Sequence, residues 1–515
     1  MKVTSNIKVW CWGTAILLST VCTTLRAGDK AAQVIDHAVN AYGGAKLIQL
    51  KSITLHDEQL HFSQWQSGHA LQGEMVSYLS EQRLELAIDF ASQRKVFKRA
   101  TTRLVGGHGS DSPTVMHRLY VDGKGYGVDH ALEQYNPTKR MNFENVDLGQ
   151  SQWLDTLIVK NLFDHKAPSK WTDVAYIQGQ AHDVLTVHSG TKQEYTVYIN
   201  QSTGYLTRLL KAQRGQLVSV DFLNHKQSDG VTWAQRIFAG TEHGPLFHSN
   251  ARRVTFNSVH NAQFDLPANY TLRPSDTPMD VSKQTLRELA SGVYYVGKGW
   301  SYTLFIDVGD YFISAGAWQM DEHSQDWQNN VALLRATTKS NKPIKQHIVT
   351  HHHTDHLMGL QDVLTHGASL VVHPNDIAAV QTHLKAQLSE EQLIKVSNQG
   401  KLAGGKVQLF DVPNSHANHN LVVYLPQQKI LFSEDIFGSS LQVGFDSPSR
   451  WPDVDTYHRL AVLMDKVDAL GIEVEQFVSS HHARVLFATE IKQARLIPLT
   501  DKQTLMERVF SSKKR

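Results

Sequence analysis

The sequence has 515 residues and only two cysteines, Cys11 and Cys22, both close to its start. A chain trimmed of its first residues therefore has no disulfide, no thiol nucleophile and no cysteine metal ligand. No GxSxG segment is present, which excludes the serine elbow that depends on it. Neither sign of charge dominates: 51 Lys and Arg stand against 49 Asp and Glu, a formal net charge of +2. That balance gives no basic footprint for nucleic acid. No internal repeat of solenoid type occurs, and no apolar run after the first residues is long enough to cross a bilayer. Hydrophobic content of 41% with 19% charged residues describes a folded chain, and the length predicts at least two domains.

The start has its own logic. Lys2 and Lys8 precede the apolar run Val9 to Val21, which is short for a membrane span, and Ala27 offers a small residue for cleavage. Residues 1–27 therefore read as a secretory signal peptide removed after Ala27, which puts the mature chain in the periplasm or outside the cell. Loss of Lys2, Lys8 and Arg26 changes the net charge to 2 − 3 = −1.

Two rhythms follow. From residue 28 to 271, alternating runs such as SITLHDEQLHF, RLELAIDF and EYTVYIN predict a mainly antiparallel β domain with one early helix, AAQVIDHAVNAYGG, stopped by Gly43 and Gly44. Residues 272–285 are polar and proline-bearing and read as a linker. Residues 286–500 mix strands (YTLFIDV, PIKQHIVT, ASLVVHP, NLVVYLP, KILFSED) with helices (WQNNVALLRATT, HLMGLQDVLTHG, YHRLAVLMDKVDALG), a layered α/β pattern. Residues 501–515 read as a basic C-terminal tail.

The stretch VTHHHTDH, Val349 to His356, concentrates imidazole and carboxylate. At the extended end of a strand, residues two apart point the same way, so His351 and His353 can face one ion. Asp355 and His356 follow where the chain turns into a helix, at a neighbouring point. His416 in PNSHANHN, Asp435 in KILFSEDIF, and His481 or His482 in EQFVSSHHAR each lie at a strand end, as a metal site at one edge of a sandwich requires. His352, His366, His373 and His419 are close by and receive no ligand role.

In order and surroundings these segments resemble the metallo-β-lactamase superfamily over about residues 290 to 485. HHHTDH matches the HxHxDH motif, SHANHNLVVYLPQQKILFSED the segment from third histidine to bridging aspartate, and VSSHH the terminal histidine. The resemblance implies an αββα sandwich holding two divalent metal ions, zinc first and iron or manganese as alternatives. It gives His351, His353 and His416 to one ion, Asp355, His356 and His481 to the second, and Asp435 to both. His481 is preferred to His482. Three departures stand out: Met358 precedes Gly359 where the family has paired glycines, Glu434 replaces a glycine before the bridging aspartate, and Ser479-Ser480 replaces a glycine-rich loop.

By the same resemblance the reaction is metal-assisted hydrolysis of an ester, lactone, thioester or related bond in a small molecule, with a metal-bridging hydroxide as nucleophile and Asp355 orienting it. An iron-dependent dioxygenase is the alternative within the family. The N-terminal AYGGAKLIQLKSITL, EYTVYINQSTGYLTRLL and FDLPANY resemble half-open β-barrels of periplasmic lipid and lipoprotein carriers. That implies an amphiphilic ligand, and a non-enzymatic envelope protein with a structural metal as a further alternative.

Overall fold

The computed structural model describes residues 27–62, 79–103, 114–164, 169–213, 216–242, 244–249, 251–273, 279–321, 323–414, 416–446, 454–497 and 500–510. The expected signal peptide lies outside them apart from Ala27, which opens the helix Ala27–Ala41. Among the described residues no helix is long and apolar enough to cross a membrane.

The N-terminal half is built on one 15-stranded sheet. Sequential strands pair antiparallel from Ser52–Phe62 to Gln134–Thr138 and again from Ser169–Ile177 to Gly244–Ser249. The short strand Thr271–Leu272 instead runs parallel to Gln134–Thr138 at one edge. One face carries the helix Ala27–Ala41 and a second helix, Asp155–Asp164, whose Leu157, Ile158 and Leu162 join Val34 and Ala38 against Leu55, Leu86, Val197 and Trp233. The expected stop after the first helix holds for a steric reason. Gly43 has φ +115°, and a Cβ there would lie 2.4 Å from the Gly230 carbonyl oxygen.

The C-terminal half is an αββα sandwich. A 7-stranded sheet runs in order from Thr285–Ala290 to Leu393–Lys395, and a 6-stranded sheet from Gln399–Leu402 to Leu486–Phe487. Leu304, Ile313, Ile348 and Val371 of the first meet Leu409, Val423, Phe432 and Val478 of the second, the face-to-face apolar packing that buries both inner faces. Helices Asp326–Thr338, Leu360–Thr365 and Ile377–Leu384 cover the outside of the first sheet. Helices Val454–Leu470 and Ala488–Arg495 cover the outside of the second.

Three expectations need correction in detail. HLMGLQDVLTHG is two helices, Thr354–Leu357 and Leu360–Thr365, because Gly359 passes so close to Ala317 that a Cβ would lie 2.6 Å from its carbonyl oxygen. The linker is less free than its composition suggests: Val281 O accepts from Gly299 N at 2.7 Å, and Thr285 already begins a strand. The basic tail contains an amphipathic helix, Lys502–Phe510, with Leu505, Val509 and Phe510 buried. Val509 and Phe510 pack on Ala100 of the N-terminal sheet, the Arg83 guanidinium lies over the Phe510 ring, and Arg508 donates to the His130 carbonyl. Charge content hid the apolar stripe of this helix.

Candidate metal centre

Four strand ends meet at one edge of the sandwich. The strand Ile344–Ile348 leads into Val349 to His353, and Leu421 N donates to Thr350 O at 2.8 Å, pinning the two sheets together beside the motif. His416 precedes the strand Leu421–Leu425. The strand Ile430–Phe432 delivers Ser433, Glu434 and Asp435, and Gln476–Val478 delivers Ser479 to His482. Each apolar strand is held by the core, so the polar residue following it is fixed in place without needing a partner of its own.

The structure brings six of the seven predicted residues into one buried group. His351, His353, His416 and Asp435 form one set with nitrogen and oxygen atoms within 4.8 Å of each other, and His356, Asp435 and His481 form a second. His416 Nε2 lies 3.2 Å from His351 Nε2 and 2.9 Å from Asp435 Oδ2. Asp435 Oδ2 is also 3.4 Å from His356 Nε2, and its Oδ1 is 3.2 Å from His481 Nε2. Asp435 thus presents Oδ2 to one histidine of each set and Oδ1 to His481 of the second. Tetrahedral ligand atoms about 2.0 to 2.1 Å from an ion are separated by roughly 3.3 Å, the range found here.

Asp355, the seventh, stands at the rim. Its side chain keeps 25% of its surface exposed, and its Oδ2 lies 4.0 Å from His356 Nε2. That oxygen accepts from the Trp318 indole at 2.9 Å, while Oδ1 is buried without a hydrogen-bond partner. His481 is the inward histidine of its pair. The Tyr295 hydroxyl lies against the carbonyls of Ser479 and His482, His481 Nδ1 donates to the Trp300 carbonyl at 2.8 Å, and the His482 ring instead accepts from Arg484 N.

Electrostatics suit a cation. Burial, reinforced by neighbouring imidazoles, holds His351 and His353 neutral, with pKa values well below the usual histidine range. Burial alone would raise the Asp435 carboxyl, but His416, His481 and His356 outweigh it and hold it well below the usual carboxylate range. His356 goes the other way: burial depresses it, and Glu434, Asp355 and Asp435 more than offset that. Both ring nitrogens of His353 are buried with no hydrogen-bond partner, which a protein interior rarely tolerates unless an ion fills the place. Gly438, at φ +51°, leaves room for the group, since a Cβ there would lie 2.7 Å from Asp435 Oδ1. The donor set of imidazoles and carboxylates therefore fits divalent metal ions.

A separate trio, His373, Asp411 and His419, also lies within 4.8 Å. Its two imidazoles are face to face, with centroids 3.6 Å apart and planes at 13°. Imidazole lone pairs lie in the ring plane, so stacked rings cannot aim both at one ion. This trio is a hydrogen-bonded network, with His419 Nδ1 2.9 Å from Asp411 Oδ2.

Residues 305–474 match the metallo-β-lactamase superfamily model. The C-terminal domain belongs to the metallo-β-lactamase superfamily. Similar solved structures include the FIM-1 metallo-β-lactamase from Pseudomonas aeruginosa in its mono-zinc form, at 17% identity over 46% of this chain and 99% of that one, with a TM-score of 0.32. A metallo-β-lactamase from Pontibacter korlensis matches at 17% identity over 42% of this chain and 98% of its own, TM-score 0.31. One from Hirschia baltica is also similar, at 16% identity, 42% and 97%, and TM-score 0.31. No curated protein matches the chain.

Three residues of this metallo-β-lactamase-fold site carried no role in the sequence reading. Trp318 and Trp300 follow strand ends, and a tryptophan just beyond an apolar strand at the site's edge was the available signal. Glu434 was visible only as a departure from the family pattern. Its carboxylate Oε1 lies 2.8 Å from His356 Nδ1.

Proposed function

We propose that the metallo-β-lactamase-fold domain is a hydrolase of an ester, lactone, thioester or related bond, dependent on two divalent ions, zinc by preference. The observation that carries this reading is the contact of one carboxylate, Asp435, with histidines of both sets, Oδ2 with His416 and His356 and Oδ1 with His481. In the proposal His351, His353, His416 and Asp435 hold one ion, and Asp355, His356, His481 and Asp435 the other. When bound, such a pair supplies an acidified water at neutral pH and a Lewis acid for the bond being cleaved.

The chain's own groups supply geometry and a proton acceptor. Trp318 fixes one oxygen of Asp355, which leaves Oδ1 to hold a water in line with the substrate and to take its proton. The Trp300 carbonyl fixes the tautomer of His481, so that Nε2 carries the lone pair and faces Asp435. Outside this centre, Trp300 (56% exposed) lies against the His481 ring, which Trp318 also contacts. Such apolar surface next to a polar centre supports a substrate whose leaving or acyl group is apolar, which agrees with an amphiphilic small molecule. The signal-peptide pattern of residues 1–27 supports action outside the cytoplasm, and N-terminal sequencing of the protein recovered from cells tests that.

The deciding experiment is hydrolysis of chromogenic esters, lactones, thioesters, phosphodiesters and a cephalosporin by zinc-loaded protein, in parallel with His353→Ala. Turnover of one class, lost in the variant, is the expected result. A metal-free protein that kept full activity would overturn the proposal.

A further inference from the structure

Glu434 occupies an unfavourable place. It lies between the strand Ile430–Phe432 and Asp435 with φ +43°, a left-handed conformation that is strained for a non-glycine residue. Its side chain is also buried, with 2% of its surface exposed, and a buried carboxylate is costly unless something pairs with it. No Lys or Arg forms an ion pair with it among the described residues; its ion-pair partner is His356, whose Nδ1 is 2.8 Å from Oε1. The opposite ring atom, His356 Nε2, points to Asp435. Glu434 therefore touches the ring at Nδ1, opposite the nitrogen that faces Asp435, and its carboxylate also lies within 4.8 Å of a His351 ring nitrogen. A glycine would relieve both costs, so the retained carboxylate points to a task in the site.

We propose that Glu434 is the positioning residue of the second ion: it holds His356 in the Nδ1–H tautomer and turns Nε2 and its lone pair toward Asp435. An ionised carboxylate can only accept from Nδ1, which leaves Nε2 free to ligate and makes it more basic. His351 of the first set is backed differently. His351 Nδ1 lies 3.0 Å from the neutral Thr350 hydroxyl, so the two sets differ in the charge standing behind them. Removing the carboxylate should weaken one ion and spare the other. This inference rests on the two-ion reading above.

The test is competition for Zn2+ between full-length metal-free protein and a chromophoric chelator, for the wild type, Glu434→Gln and Glu434→Gly, with metal-free thermal melts alongside. Wild type is expected to show two binding constants. In both variants one should weaken by about 10- to 100-fold, the cost typical of losing a partner behind a ligating histidine, while the other stays unchanged. The metal-free melting temperature of Glu434→Gly should not fall, because glycine accepts the left-handed backbone. His351→Ala identifies the spared constant, since it should weaken that one. Unchanged constants in both variants, or equal weakening of the two, would overturn the role of Glu434. A lower metal-free melting temperature in Glu434→Gly with zinc binding intact would make the residue structural and overturn it too. Wild type taking up no zinc would instead overturn the two-ion reading itself.

Discussion

The Trp318 indole N–H donates to Asp355 Oδ2 at 2.9 Å and so decides which oxygen of that carboxylate faces the site. A hydrogen bond to a charged group contributes about 1.5–3 kcal/mol. Trp318→Phe keeps the aromatic surface and removes the donor. It should lower kcat by about 10- to 100-fold on the substrate class found, with metal content unchanged. Steady-state kinetics with elemental analysis of the same sample checks both parts.

Asp435 faces both histidine sets, so Asp435→Asn should reduce bound zinc more than any single histidine substitution does. His481→Ala should lose one equivalent, and His482→Ala none, because the His482 ring accepts from Arg484 N while His481 Nε2 faces Asp435. Zinc stoichiometry after dialysis separates the three variants.

Metal removal should destabilise the C-terminal domain. Without cations the Asp435 carboxylate and the packed imidazoles remain buried with incomplete compensation, whereas an ion bound to the folded state alone stabilises it by mass action. Chelation should lower the melting temperature and abolish turnover, and added zinc should restore both. Calorimetry with and without chelator is the measurement.

Trp300 lies exposed against His481 at the edge of the site. Trp300→Ala should raise KM for substrates with long or aromatic acyl groups and leave acetyl substrates little changed. A chain-length series of esters or thioesters reads this directly, and an equal change for every length would remove the apolar subsite from the account.

The N-terminal half has its own pH response. Burial, with Lys98 and Arg508 adding to it, lowers His130 to about 3. The ring lies nearly coplanar with that of His117 and is hydrogen-bonded to it and to Tyr270. An unfolded histidine titrates near 6.5, so between about pH 6.5 and 3 the unfolded chain binds a proton that the folded chain refuses. Stability must then fall as pH drops through that window. Urea midpoints at several pH values should show this, with a shallower slope in His130→Gln.

The metal-type residues were legible because two local rules coincide at His351 and His353: strand periodicity sets their direction, and imidazole chemistry gives that direction a purpose. The layering of the C-terminal half was readable from runs such as NLVVYLP and KILFSED for the same periodic reason. The helix Asp155–Asp164 was missed, since LIVKNLF shows no clear amphipathic stripe and most of that helix is buried. The split at Met358 and Gly359 depends on the distant Ala317 carbonyl, which no local pattern reveals. Glu434 was hidden similarly: its partner His356 is 78 positions earlier.

The helix Lys502–Phe510 gives the polypeptide an unusual itinerary. The chain leaves its first sheet near Arg273, builds the whole sandwich, and then returns to lay Val509 and Phe510 on Ala100, beside the sheet it began with. A protease cutting once between the halves would therefore release neither, because the returning end still moors one to the other. Cleavage at a protease site introduced between the halves should leave two fragments that migrate together in native gels, and only a second cut before Lys502 should let them part.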